Sequence, residues 1–124
     1  MNFEHTPEFK KDLKKLAKRW RSLPQDVVDA EWAITPLYIE QEGVDIAVYR
    51  KSLLGMKRAT ILHQTDRYEV VKMRLDVAAL GRSDKVRIVF VAIKTKSTIV
   101  FIELYSKNEK DREDTKRIKK YLPD

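Results

Sequence analysis

The run Tyr68-Glu69-Val70-Val71-Lys72-Met73-Arg74-Leu75 sets two cations at alternate positions of a strand-like segment. Side chains alternate along a strand, so Lys72 and Arg74 share one face while Val71, Met73 and Leu75 share the other. Arg87 begins the next apolar run, and Lys107 stands just past the one after it. Pairing of these runs would bring the four cations to one rigid surface. Cations that converge in this way hold phosphate, and the planar fork of arginine meets two phosphate oxygens at once. The plainer reading of the same residues is a solvated strand face, which is common on half-exposed sheets.

The composition is compatible with such a partner. The chain has 124 residues, the length of one domain (1–124), with 26 Lys and Arg against 19 Asp and Glu for a net charge of +7. A basic balance suits nucleic acid or an acidic protein that masks the charge, and does not choose between them. Cysteine is absent, which excludes disulfides and thiolate chemistry. His5 and His63 are far apart with no second ligand at metal spacing, so neither a metal nor another cofactor is expected. Gly43, Gly55 and Gly81 form no phosphate-cradling loop and no nucleophile elbow. Residues 1–11 carry no apolar signal core and no run approaches the ~18 apolar residues of a membrane span, so the expectation is a cytoplasmic protein without a membrane partner.

The elements that must position the cations follow from pattern. Residues 1–5 read as a short strand, and Thr6-Pro7-Glu8 as helix cap, first-turn proline and first-turn acid. Phe9, Leu13, Leu16, Ala17 and Trp20 then recur at helical spacing, ringed by lysines. Ser22-Leu23-Pro24 breaks this helix; a second one carries Val27, Val28 and Trp32 and stops or kinks at Thr35-Pro36. Trp20 and Trp32 read as core or helix packing, and His63 as structural. Residues 40–58 give the weakest pattern, a loop with local structure or a strand. Residues 59–63 and 68–77 read as an antiparallel pair, 79–84 as a loop, and 86–93 as a central strand, apolar on both faces. Residues 98–105 complete a hairpin across a polar turn at 94–97. In that last strand Glu103 falls on the face of Phe101 and Tyr105, where an unpaired charge is costly, so a basic partner is expected from Lys72, Arg74 or Arg87. Ser106-x-x-Glu109 fits a capping box opening a final helix, its acids early and its bases late. The fold class is therefore α+β: two N-terminal helices packed on a mainly antiparallel sheet of about four or five strands, with a C-terminal helix.

This order, together with Phe9-Lys10-Lys11-Asp12-Leu13-Lys14-Lys15-Leu16, Val71-Lys72-Met73-Arg74, Val86-Arg87-Ile88-Val89-Phe90 and Ile102-Glu103-Leu104-Tyr105-Ser106-Lys107, resembles the RelE/ParE superfamily of toxins of type II toxin-antitoxin systems. The resemblance covers the first helix and the chain after about residue 68. It implies a RelE-like fold and a small ribonuclease that enters the ribosomal A site and inhibits translation by cutting mRNA, with Lys and Arg in place of histidines. The implied partners are mRNA, ribosomal RNA and a cognate antitoxin protein. Carried over by position, Lys72, Arg74 and Arg87 are the implied catalytic residues, and Lys107, Lys110 and Tyr105 the implied substrate-binding ones. Two family positions have no match: the late arginine falls near Asn108 and the C-terminal tyrosine near Asp114. The alternative implied by those departures is a non-nuclease on the same fold, either a ParE-like inhibitor of a protein such as DNA gyrase or a degenerate antitoxin-binding module.

Attack of a 2′-oxygen on the neighbouring phosphate needs a proton acceptor, neutralisation of the phosphorane charge and a donor to the leaving oxygen. Arg74 and Arg87 suit the charge, and Lys72 is either the base or a second electrostatic contact. Lys107 and Lys110 would hold the backbone, with Tyr105 as a stacking or donor group. For the lysines of the first helix the choice lies between a solvated face, ribosomal RNA contact and an acidic antitoxin.

Overall fold

The computed structural model describes residues 1–81 and 85–123. Five strands form one sheet in the order β1-β5-β4-β3-β2, with β1 Asn2–His5, β2 Ala59–Gln64, β3 Tyr68–Leu75, β4 Val86–Ile93 and β5 Thr98–Ser106. β1 runs parallel to β5 and every other pair is antiparallel. The helices are α1 Pro7–Ala17, α2 Leu23–Ile34, α3 Ile46–Gly55 and α4 Thr115–Lys120. The α+β expectation therefore holds, with helices packed on an open, mostly antiparallel sheet and a helix at the C-terminus. Among the described residues no helix is long and apolar enough to cross a membrane. Residues 82–84 of the expected loop at 79–84 lie outside the described residues.

The period-2 pattern of β3 sorts its side chains as read. Val71, Met73 and Leu75 join Ile88, Phe90, Phe101 and Leu104 beneath Phe9 and Leu16 of α1 and Leu23, Val27 and Ile34 of α2. The opposite face carries a smaller cluster of Val70, Val89, Val91, Ile102 and Tyr105, covered by Ile118 of α4. Thr6 caps α1, its hydroxyl accepting from the Phe9 N–H at 3.1 Å. Trp20 is buried as expected. Trp32 is not: it stands 77% exposed on the outer side of α2, because Val27, Ala30 and Ile34 already fill the face against the sheet.

Three expectations require correction. Residues 46–55 form a helix, capped by Asp45 accepting from the Val48 N–H at 3.1 Å. No residue of α3 is fully buried, so its apolar pattern is faint; a charge anchors it instead. Arg50 donates to Glu69 of β3 at 3.0 Å, and Tyr38 donates to the same carboxylate at 2.6 Å. Burial alone would raise the Glu69 pKa, but the Arg50 and Tyr38 hydrogen bonds outweigh it and hold it below the usual carboxylate range.

The second correction concerns the last helix, which starts at Thr115 with Asp114 as its cap rather than at Ser106. Residues 107–113 offer no apolar side chain to bury. They cross the outer face of the sheet as irregular chain because Glu103 draws them there. The third is Glu103 itself. A bulge sets Val89 opposite Glu103 but Phe90 opposite Phe101, so Ile102 is the extra residue and Glu103 leaves the face of Phe101. Its partners come from the C-terminal segment: the Lys110 ammonium and the Asp114 N–H, the latter at 2.8 Å.

Arg50→Ala would leave Glu69 buried without its cation and should cost about 3–5 kcal/mol in urea unfolding; a loss below about 1 kcal/mol would show that α3 is not anchored this way. A second link is pH-dependent. Glu8 accepts from Lys120 at 2.8 Å and from the Tyr121 hydroxyl, contacts that hold its pKa at about 2 against an ordinary 4.5. A depressed carboxylate stabilises above its unfolded value and loses that contribution as pH falls through the folded one. The α1–α4 contact should thus weaken between about pH 4.5 and 2, read as loss of amide-exchange protection in α4, and Glu8→Gln should abolish that pH dependence.

Candidate nucleic-acid interface

Strand register decides which cations meet. On the outer face, Lys72 of β3 lies opposite Val89, which lies opposite Glu103; one row along, Arg74 lies opposite Arg87, which lies opposite Tyr105. β2 adds Thr60 opposite Lys72, and the Arg58 carbonyl just before β2 accepts from the Arg74 N–H at 2.8 Å. Beyond β5, the Lys107 N–H donates to the Lys85 carbonyl at 2.7 Å, which keeps the end of β5 beside the start of β4.

These segments enclose an open cavity of about 420 Å³. Lys72, Arg74, Arg87, Tyr105 and Lys107 all line it, so the structure brings together five of the six residues named from sequence. Lys57 and Arg58 complete a set of six cations around it, against one lining carboxylate, Asp111. Lys110 is not brought there. Its ammonium is taken by Glu103, 5.3 Å from the centre of the Tyr105 ring, and it lines a separate hollow with Asp12 and Arg117.

The cations differ in how they are held. Lys72 donates to Glu113 at 3.0 Å, a carboxylate only 11% exposed. Arg58 donates to Asp76 at 2.9 Å in a solvated pair worth little. Arg87 is buried to 7% exposure, with Val86 O at 3.4 Å from one of its nitrogens. The side chains of Arg74 and Lys107 make no hydrogen bond or ion pair to any described residue. Tyr105 is pushed up to about 12, first by burial and then by the nearby Glu113 and Glu103 carboxylates, so its phenol stays protonated.

Like charges directly opposite on paired strands are destabilising, and the Arg74–Arg87 pair is such a case. Lys72 is already an ammonium donor to a carboxylate, which fits an electrostatic contact better than a proton acceptor. Neither histidine lines the cavity, and among the described residues no group of His, Asp or Glu is arranged to hold a metal ion.

Sequence reasoning missed Lys57, Arg58 and Thr60. The basic pair immediately before β2 was a usable signal, but β2 contains a bulge between Ile61 and His63. Counting back from the hairpin turn without it puts Thr60 opposite Met73 on the wrong face. Compared with protein families, curated proteins and solved structures, the chain matches none.

Glu113 competes with any anion for Lys72. Glu113→Gln should raise affinity for a short RNA several-fold in fluorescence anisotropy, with the thermal midpoint reporting that the fold is kept; unchanged or weaker binding would remove Lys72 from the interface.

Proposed function

We propose that this chain is a RelE/ParE-type toxin of a type II toxin-antitoxin system, acting as a ribosome-dependent mRNA endonuclease. The observation that carries the reading is the cavity in which Lys72, Arg74, Arg87 and Lys107, from separate strands and a loop, converge with a protonated Tyr105. The sequence resemblance assigns the same residues to RNA.

In this reading Arg74 and Arg87 bind the scissile phosphate, and their fixed positive charge stabilises the phosphorane more than the ground state. Lys72 adds a second electrostatic contact and Lys107 holds the flanking backbone. The Tyr105 hydroxyl supplies a proton donor beside the leaving 5′-oxygen, and Asp111 is the lining carboxylate that can accept the 2′-proton. The ribosome aligns the RNA for in-line attack, a contribution large enough to compensate for a sparse acid-base set. The antitoxin is an acidic protein segment that covers the same cations.

A second reading is favoured by the Lys72–Glu113 contact and by the unmatched arginine and tyrosine positions. In it the cavity binds an anionic partner without cutting RNA, as a ParE-like inhibitor or an antitoxin-binding module would. Inducible expression with mRNA 5′-end mapping separates the two. The nuclease reading predicts new ends within translated codons, reduced about 100-fold by Arg74→Ala or Arg87→Ala and less by Lys72→Ala. Growth arrest with intact mRNA selects the second reading, and cleavage that survives all three substitutions places the chemistry elsewhere.

A further inference from the structure

A second cavity, of about 410 Å³, lies on the other side of two of the same arginines. Arg58 and Arg74 line both cavities and form the wall between them. β2 begins at Ala59, paired with Met73, and beyond that point the Arg74 N–H still donates to the Arg58 carbonyl at 2.8 Å, but among the described residues no strand continues along this edge of β3. α2 and α3 close over this edge with short or partly buried side chains, Ala30, Ala33 and Leu53, and the space they leave is walled below by Met73 and Leu75.

The two cavities differ in charge. The first has six cations and one carboxylate; the second has the two shared arginines and three carboxylates, Asp26, Asp29 and Asp76, over apolar walls. Asp26 accepts from the Ser22 hydroxyl at 2.7 Å and from the Ala78 N–H at 3.3 Å, which hold it in place, and Asp76 pairs with Arg58 at 2.9 Å. Three carboxylates repel a second phosphate. A flat, neutral, largely apolar group is favoured instead, and the guanidinium of Arg58, held beside the lining Asp76, offers a stacking plane for a heteroaromatic ring. An apolar hollow with a few convergent polar groups is also the usual form of a small-ligand site.

We infer that this second cavity is a base pocket: one nucleotide of a single-stranded RNA puts its phosphate among Arg74, Arg87 and Lys107 and its base beyond the Arg58–Arg74 wall. The inference rests on the phosphate reading of the first cavity. It makes the chain a reader of a splayed-out base as well as of the backbone. Ala33 sits at the solvent-exposed mouth on α2, so enlarging it narrows the pocket without entering the core.

The test compares anisotropy-measured affinities for a 2′-O-methyl pentanucleotide and an abasic oligomer of the same length and charge. The base-containing oligomer should bind about 10-fold tighter, a typical stacking contribution of 1–3 kcal/mol per base. Ala33→Trp should bring the two affinities within about two-fold while leaving the abasic affinity unchanged, and Leu53→Trp, filling the hollow from α3, should do the same. Equal affinities in the wild type, or a 10-fold preference that survives both fillings, overturn the base pocket. If abasic binding still falls on Arg87→Ala in that case, the phosphate reading stands; if neither oligomer binds, both readings fail.

Discussion

Arg74 and Arg87 face each other across the β3–β4 pair, and the rest of the site depends on that opposition. The register is not free to relax. Val71, Met73 and Leu75 on one strand and Val86, Ile88 and Phe90 on the other are buried beneath α1 and α2, and a one-residue slip would turn all of them outward. Core packing thus sets Arg74 and Arg87 at directly opposed positions of neighbouring strands. The same constraint fixes their spacing before any ligand arrives. Preorganised positive charge of this kind requires no rearrangement when a phosphate binds.

A buried carboxylate organises the other boundary of the cavity. Glu103 is 1% exposed, and its bulged strand leaves it on the outer face without a cross-strand cation. It is satisfied by Lys110 and by the Asp114 N–H, which carries residues 107–114 back over the sheet. That course places Asp111 and Lys107 at the rim, presents Glu113 to Lys72 and keeps Lys110 out of the cavity. The acids of this segment therefore do not decorate a helix; they screen part of the cation cluster from inside the same chain. Ile118 and the half-buried Tyr121 and Leu122 then fasten α4 to Val70, Val89 and Val91, and Arg117 ties it to Asp12 of α1 at 2.6 Å.

What was legible in the sequence was whatever apolar periodicity or a local cap specifies. α1 shows a full amphipathic stripe behind Thr6-Pro7, and β4 is apolar on both faces, as a strand flanked by neighbours must be. Lys72, Arg74 and Arg87 could be placed on one face because alternation within β3 and pairing with β4 are regular. The misreadings share a physical cause: long-range polar contacts leave no periodic trace. α3 is held by Arg50 reaching Glu69, the late start of α4 follows from the demands of Glu103, and the partner of Glu103 was misassigned because Lys110 reaches it from the irregular segment after β5. Arg58 fell in the weakly patterned residues 40–58, and a second bulge, in β2, hides from simple alternation that Thr60 lies opposite Lys72. Trp32 departs from the usual preference of tryptophan for burial because Val27, Ala30 and Ile34 already fill the buried face of α2.

The central claim is that Arg74, Arg87 and their neighbours act together on RNA phosphates, and the salt dependence of binding tests it most directly. Binding of a single-stranded RNA should weaken linearly in log K against log salt, and each cation removed should reduce the slope by about 0.7. Arg74→Ala and Arg87→Ala should each show that reduction, while substitution of the exposed Lys10 on α1 should leave the slope unchanged. An unaltered slope in both arginine variants, or a loss equal to that at Lys10, would contradict the account.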